Sequence, residues 1–336
     1  MKLDKVPRTD YVTEEHGPVY NFLYSYKTNF ITLMGTNLLF IVFNIPMMLV
    51  AFAYVLIFLP MINPVFVPEN FVEYTKTLGI IGNTVMQNDV GSDAAYQLYY
   101  LIVIFSVMFL MGTTLICFGP FHAGFSQVYR NLYRETGLFY FSDFKEGMKS
   151  NLKQSLGAMF ISLIVTALTL TGIGFYGASG SRLGTAVSVF FIVIFCVFIM
   201  VQNMVWQMIV SVDLPLKKIY RNAILFVLLK FGPCLGLIGI SFLLLVLIPF
   251  LLLFAATFVA YAVVIFFYLT FVLSFIQYMN AYATGVFIKQ YIGSPNEYAD
   301  DDPADDIGEA EDDEMNEDEP VENEDGEEEE DTKTDK

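Results

Sequence analysis

The chain has 336 residues, of which 55% are hydrophobic, and this composition excludes an ordinary water-soluble protein and favours an integral membrane protein. The formal net charge is −17, but residues 297–336 hold 23 of the 35 acidic and two of the 18 basic residues. This C-terminal segment therefore carries −21 and the rest of the chain carries +4. The three cysteines show no C-x-x-C or metal-type spacing, so a disulfide framework is not expected.

The N-terminal part of the chain leads into a first apolar run. Residues 1–29 are polar and aromatic, which predicts a cytoplasmic segment with its rings at the level of the lipid headgroups. Residues 30–62 predict the first span. A span needs about 20 residues, so this run must tilt, kink or protrude, and Pro46 is the expected kink. The polar residues 63–95 then predict an extracytoplasmic loop.

The second predicted span covers residues 96–118. We expect its helix to continue past Gly119-Pro120, because apolar side chains from Phe118 to Leu132 share one helix face and polar side chains share another. Asp143, with a glutamate three residues later, predicts the N-cap of a helix that leads into the third span.

The later spans follow from long apolar runs. Residues 156–176 and 183–210 predict the third and fourth spans. Residues 223–282 are nearly all apolar and too long for one helix, so we predict two helices folded as a hairpin with its apex near Pro249.

The basic residues predict the orientation of these spans. Residues 1–29 contain four, the 119–155 loop five and the 211–230 segment four, whereas the alternate loops contain one, one and none. Basic residues collect on the cytoplasmic side. We therefore predict an all-α integral membrane protein whose domain of residues 30–292 has six transmembrane helices, with both termini in the cytoplasm. Residues 293–336 are expected to form a disordered acidic tail.

A recurring pattern marks the entry to the odd-numbered spans. Asn29, Asn151 and Asn222 each come close behind a basic residue where apolar sequence begins. One interpretation is that the protein consists of three related helical hairpins. The other is that any cytoplasmic entry recruits Lys or Arg and a polar cap.

Catalytic groups are sparse. His16 and His122 belong to no metal-spaced cluster, and we expect His122 to be a structural or interfacial residue. The predicted spans hold no Asp or Glu, which argues against ion coupling through intramembrane carboxylates. We therefore predict a protein that is not an enzyme, with no metal and no cofactor.

Neutral polar residues within the spans form the first candidate site. Asn37 and Asn44 are seven residues apart and share a helix face. The candidate polar cavity consists of Asn37, Asn44, Thr113, Gln202, Asn203, Gln207, Gln277 and Asn280, with Thr114 beside them. Such amides could line a cytoplasm-facing cavity for a neutral solute such as a sugar, or they could hold helices together through hydrogen bonds.

Basic residues of the 119–155 loop form the second candidate site, which would contact a partner or lipid. They are Arg130, Arg134, Lys145, Lys149 and Lys153. Three interpretations stay open: topology alone, contact with anionic lipids, or docking of a protein partner.

Several motifs resemble the YesL-like family of bacterial membrane proteins. The first span holds N-L-L-F followed by N-I-P, and the central loop holds G-P-x-x-A-G, an Arg pair, D-F and K-x-N-x-K-Q. The matching residues include Asn37, Pro46, Gly119, Pro120, Gly124, Arg130, Asp143, Phe144 and Asn151. Residues 63–95 resemble an insertion, His122 replaces a small or hydroxyl residue, and the acidic tail is not a family feature.

The resemblance implies a multi-pass protein of the bacterial cell membrane. The family has no known biochemical function, and its members are often associated with carbohydrate uptake. The leading hypothesis is therefore a non-enzymatic accessory or regulatory subunit, with the lipid bilayer and sugar-transporter subunits as partners and no nucleic acid. The alternative is a solute-binding transport subunit that uses the amides. A membrane enzyme is disfavoured because the acid–base groups are missing.

Overall fold

The structure is a computed structural model that describes residues 17–78, 89–253 and 258–291, and the described residues form helices and connections without strands. The helices in chain order are α1 (Pro18–Thr28), α2 (Phe30–Phe43), α3 (Ile45–Ile62), α4 (Pro68–Thr77), α5 (Asp89–Gly112), α6 (Gly119–Arg134), α7 (Tyr140–Ser150), α8 (Leu152–Gly177), α9 (Arg182–Ser211), α10 (Leu216–Leu229), α11 (Phe231–Phe242), α12 (Ile248–Leu253), α13 (Phe258–Phe267) and α14 (Leu273–Tyr291). A short 3-10 helix covers Pro64–Phe66, and π-helical turns at Leu243–Leu247 and Tyr268–Val272 join α11 to α12 and α13 to α14.

Six helical stretches are long and apolar enough to cross a membrane, which confirms the predicted number of spans among the described residues. They are Ile45–Ile62, Asp93–Gly112, Leu152–Gly177, Arg182–Ser211, Phe231–Leu252 and Ala262–Tyr291. The orientation of the termini stays a prediction. The acidic tail of residues 293–336 lies outside the described residues, as do residues 1–16.

Three asparagines break the helices in the same way. Asn29, Asn44 and Asn151 each join two consecutive helices as a single residue, with φ between −108° and −99° and ψ between 8° and 16°. Each side-chain amide donates to the carbonyl oxygen four residues earlier, at 2.9, 2.9 and 3.0 Å. Asparagine suits this position because its short side-chain amide can also bond a carbonyl at the end of the preceding helix. At Ser25 and Phe40 this bond adds to the one from the asparagine's own backbone N–H.

The break in the first apolar run therefore lies at Asn44 and not at Pro46. Pro46 occupies the first turn of α3, where a backbone N–H has no intrahelical acceptor. The absence of an N–H on proline therefore costs the helix no hydrogen bond. The 14 residues of α2 would extend only about 21 Å, less than the hydrocarbon core, so α3 supplies the first full-length span.

The third predicted entry at Asn222 is wrong in position. Asn222 lies inside α10, and the break comes at Lys230 (φ −120°, ψ 39°). Lysine has no side-chain acceptor or short amide to mimic the asparagine arrangement. The pattern therefore holds for α1–α2 and α7–α8, whereas the α10–α11 break differs in its residue and its side-chain bonding.

The expected continuous helix across Gly119-Pro120 is also wrong. Helix α5 ends at Gly112, residues 113–117 are buried in irregular backbone, and Thr114 has a left-handed φ of 59°. Other spans satisfy this backbone: Ser162 Oγ donates to the Leu115 carbonyl at 2.6 Å, and Trp206 Nε1 donates to the Thr114 carbonyl at 3.3 Å. Irregular backbone between membrane helices requires such protein partners.

Helix α6 lies at the centre of the helix packing, in contact with α1, α2, α7, α8, α9 and α14. The predicted face is confirmed, because Phe125, Tyr129 and Leu132 are buried and Arg134 is exposed. Two motif glycines permit the close approach of its neighbours. A Cβ at Gly119 would lie 2.2 Å from the Ser155 carbonyl oxygen, and one at Gly124 would lie 2.7 Å from the Phe144 ring.

Two predictions about the ends of the polar segments need correction. Helix α7 begins at Tyr140, three residues before the predicted N-cap, and Asp143 instead accepts a hydrogen bond from the Phe139 N–H at 2.9 Å from inside the first turn. The predicted 63–95 loop contains α4, which buries Phe71, and the first residues of α5.

The prediction that a hairpin apex lies near Pro249 is wrong, because Pro249 lies within helix α12. The chain stays helical from α11 to Leu253, the description resumes with helix at Phe258, and residues 254–257 lie outside the described residues. Pro249 has no N–H to donate to the carbonyl of Leu245, and the Tyr268 hydroxyl donates to that carbonyl. The cross-helix bond thus satisfies an acceptor that proline leaves without its usual partner.

Candidate functional site

Asn37 makes three hydrogen bonds to the backbone of the last span. Its Nδ2 donates to the carbonyls of Tyr268 and Leu269, both at 2.8 Å, and its Oδ1 accepts from the Ser274 N–H at 2.9 Å. These groups lie at the π-helical turn, where backbone groups depart from the α-helical bonding pattern. Asn37 is fully buried, and its donor and acceptor are both used to join α2 to α14.

Asn44 joins a helix break to the start of α6. Its Nδ2 donates to the Phe40 carbonyl, while its Oδ1 accepts from the Phe118 N–H at 2.8 Å. Asn44 therefore caps α6 from a different helix, by bonding the N–H of the N-cap residue Phe118, as the N3 side chain does in a capping box. Although Asn37 and Asn44 are both buried, they bond different partners.

Thr113 and Gln202 also lie apart from the remaining amides. Thr113 Oγ1 donates to the Phe109 carbonyl within its own turn at 2.6 Å. Gln202 Oε1 accepts from the Tyr220 hydroxyl at 2.9 Å, and its Nε2 has no hydrogen-bond partner among the described residues.

The other four predicted amides face one another across a small space that we call the amide cavity. Asn203 and Gln207 lie one turn apart on α9, and Gln277 and Asn280 lie one turn apart on α14. The cavity wall also contains His122 and Tyr129 of α6 and Thr114 of the irregular segment before it, together with Trp206 of α9 and Ala281 of α14. The sequence spacing predicted the amides, whereas only the packing of α6 against α9 and α14 brings His122 and Tyr129 to them.

Hydrogen bonds within this group hold several side chains in place. Thr114 Oγ1 donates to Asn203 Oδ1 at 3.2 Å, and the Tyr129 hydroxyl donates to Gln277 Oε1 at 3.1 Å. Gln207 Nε2 donates to the Tyr133 hydroxyl at 3.1 Å.

Four buried atoms at the amide cavity have no hydrogen-bond partner in the described part of the chain. They are His122 Nδ1, Gln207 Oε1, Gln277 Nε2 and Asn280 Nδ2. The exposed fraction of each of these side chains is 5% or less. Buried polar atoms are normally hydrogen-bonded to protein or ordered water, so this concentration is unusual.

The amide cavity is too small for a sugar in this conformation. Its free space is about 10 Å³, and a neighbouring space of the same size shares Asn203 and Asn280 with it. That is close to the least space that one water molecule needs. A hexose would require α9 and α14 to move apart.

His122 lies in the interior and not at an interface. Its ring contacts the Trp206 ring edge-on, with centroids 4.8 Å apart, and also contacts Phe40. Burial lowers the pKa of His122 to about 3, because the charged imidazolium would lose its hydration. The imidazole is therefore neutral at pH 7.

The predicted basic site divides into one structural residue and four exposed ones. Arg130 is half-buried, and its Nη1 donates to the Val210 carbonyl at 2.5 Å, at the carboxyl end of α9. A cation at this end is favoured by the helix dipole. Burial, with Arg134 nearby, lowers the pKa of Arg130. Arg130 thus stabilises the end of α9.

The other four cations, Arg134, Lys145, Lys149 and Lys153, are exposed, and we call them the basic surface. Two aromatic side chains near the start of α7 are also exposed: Phe139 by 79% and Phe141 by 64%. The basic surface lies outside the six apolar spans except for Lys153, in the first turn of α8. The four cations and the two phenylalanine rings are therefore available to contact an anionic or amphipathic surface.

Residues 98–173 match a protein family described as a protein of unknown function, DUF624. This match covers most of the second span, all of α6 and α7, and most of α8. No curated protein and no solved structure matches the chain. The match supports a domain of unknown function over this part of the chain, and the YesL-like resemblance stays a prediction.

Proposed function

We propose that this multi-pass membrane protein is a non-enzymatic accessory or regulatory subunit associated with carbohydrate uptake in the bacterial cell membrane. The association with carbohydrate uptake comes from the YesL-like resemblance. The observation that carries the accessory role is the exposure of Arg134, Lys145 and Lys149 beside two exposed phenylalanines, outside the apolar spans.

The contrast with the interior supports a docking role over a binding cavity. The amides predicted for a sugar site are engaged in hydrogen bonds between helices or surround a space of about 10 Å³. Four exposed cations on and beside one amphipathic helix suit an acidic protein surface, because charge complementarity speeds and orients association. With both termini in the cytoplasm, as predicted, this surface would face cytoplasmic or membrane-bound transporter subunits.

The test is affinity purification from the native host in mild detergent, followed by mass spectrometry. We expect permease or ATPase subunits of a sugar transporter to co-purify with the wild type and to be lost from an R134A/K145A/K149A variant. The matched control is K217A/K218A/R221A, which removes three exposed cations from α10. Arg130 is left intact because its loss would disturb the end of α9.

Two outcomes would contradict the accessory role. One is a wild-type protein that brings no partner after crosslinking in the native membrane. The other is equal loss of partners from both triple variants, which would mean that total positive charge, and not this surface, governs recovery.

The second candidate is a solute-binding transport subunit, favoured by the four unpartnered atoms at the amide cavity. It requires a conformation in which α9 and α14 separate. Thermal unfolding in nanodiscs with a panel of neutral sugars tests it. A sugar that raises the melting temperature of the wild type but not of Asn203→Leu, with equal ligand-free stability, would support this function. Loss of stability without any sugar response would count against it.

A further inference from the structure

We infer that the amide cavity binds one water molecule, which joins α6, α9 and α14. Side chains of these three helices line the same small space, and four of them each have one buried polar atom without a hydrogen-bond partner in the described part of the protein. The proposed occupant is independent of any transporter partnership.

The chemistry of the four atoms matches a water molecule. Gln277 Nε2 and Asn280 Nδ2 are donors, whereas Gln207 Oε1 is an acceptor. His122 Nδ1 is an acceptor when the hydrogen of the neutral imidazole is on the other ring nitrogen. Water accepts two hydrogen bonds and donates two, so it can satisfy two donors and two acceptors.

Size and charge exclude the other obvious occupants. About 10 Å³ of free space accommodates one water molecule and not an organic solute. The residues that line the cavity carry no carboxylate and no cationic side chain. A bare cation would face two N–H donors, which repel it, and an anion would face a carbonyl oxygen.

The hydrogen bonds already present restrict the alternatives within the protein. The Tyr129 hydroxyl bonds one end of the Gln277 amide, and the Tyr133 and Ser211 hydroxyls bond one end of the Gln207 amide. The other end of each amide has no partner in the described protein. A buried water with three or four polar partners is the usual way in which such atoms are satisfied.

The test is water-to-amide magnetisation transfer by NMR on the full chain in nanodiscs, with ¹⁵N-labelled Asn and Gln side chains. We expect strong transfer to the Gln277 and Asn280 amides. Asn37 is the matched negative control, because both of its amide atoms bond the backbone. Asn70, which is exposed, is the positive control.

A cavity-filling variant makes the experiment decisive. Ala281→Val adds two methyl groups to a residue that lines the cavity and should abolish transfer to both amides while Asn70 keeps its signal. Ala283→Val, on the same helix but not lining the cavity, should leave transfer unchanged.

The inference is overturned if the wild-type Gln277 and Asn280 amides show no more transfer than Asn37. It is also overturned if their transfer survives in a folded Ala281→Val protein, because solvent would then reach the amides without a confined water site.

Discussion

The two groups of buried amides differ in how completely the protein itself satisfies them. Asn37 bonds the backbone at a π-helical turn of the last span through its donor and its acceptor, and Asn44 bonds the Phe40 carbonyl through its donor and the start of α6 through its acceptor. Gln207, Gln277 and Asn280 each keep one atom without a partner in the described protein. The first group therefore holds irregular backbone together, whereas the second surrounds a site.

This difference separates two interpretations that look alike in sequence. Both groups consist of amides spaced by three, four or seven residues in apolar helices. Hydrogen-bonded amides between helices are common in membrane bundles. What distinguishes a site is the unpaired atom beside a space, and that depends on which helices pack together.

The largest expected effect comes from Asn37→Leu. It leaves the Tyr268 and Leu269 carbonyls and the Ser274 N–H without their side-chain partner in a buried place. We expect a loss of about 2–4 kcal/mol in the free energy of unfolding, because buried unpaired groups cost about 1–3 kcal/mol each and membrane bonds are at the low end. Reversible unfolding in mixed micelles measures it.

Gln277→Leu sharpens the same comparison. It removes the hydrogen bond from the Tyr129 hydroxyl, so we expect a loss of only about 1 kcal/mol in the free energy of unfolding. If Gln277→Leu destabilised the protein as much as Asn37→Leu, the distinction between the two groups would fail.

A smaller loss of stability is expected when the asparagines that separate consecutive helices are replaced. Asn44→Leu removes the cap on α6 and should cost about 1–2 kcal/mol. Asn29→Leu removes only the bond to the Ser25 carbonyl, at a half-buried position, and should cost about 0.5–1 kcal/mol. The same unfolding assay compares them, and equal losses would mean that the α6 cap contributes nothing.

His122 makes the stability of the amide cavity depend on pH. Its pKa is about 3 in the folded protein and about 6.5 when unfolded, so the unfolded chain binds more protons between these values. The contribution of neutral His122 to the free energy of unfolding is fully present above pH 6.5. It decreases as the pH is lowered, by up to about 1.4 kcal/mol per pH unit.

Unfolding free energies measured from pH 7 to 5 should show this decline in the wild type, and His122→Phe should reduce it. Carboxylates of ordinary pKa stay ionised over most of this interval, so they interfere little. An identical pH profile in both proteins would mean that His122 is hydrated and able to titrate in the folded state.

The sequence alone determined the all-helical class, the six apolar spans and the amides that belong to the interior. Apolar length and helical spacing carry this information because the hydrocarbon core fixes the length of a span and the helix fixes which residues share a face. It also indicated that α6 is amphipathic, and Phe125, Tyr129 and Leu132 are buried as their common face implies.

Only the tertiary structure decided where the helices break and which amides form a site. The break after Gly112 depends on partners remote in sequence, since Asn44, Ser162 and Trp206 bond the irregular segment. His122 becomes part of the amide cavity because α6 packs against α9 and α14. Spacing along one helix cannot reveal this, because a buried polar atom is satisfied or left unpaired by its neighbours in space.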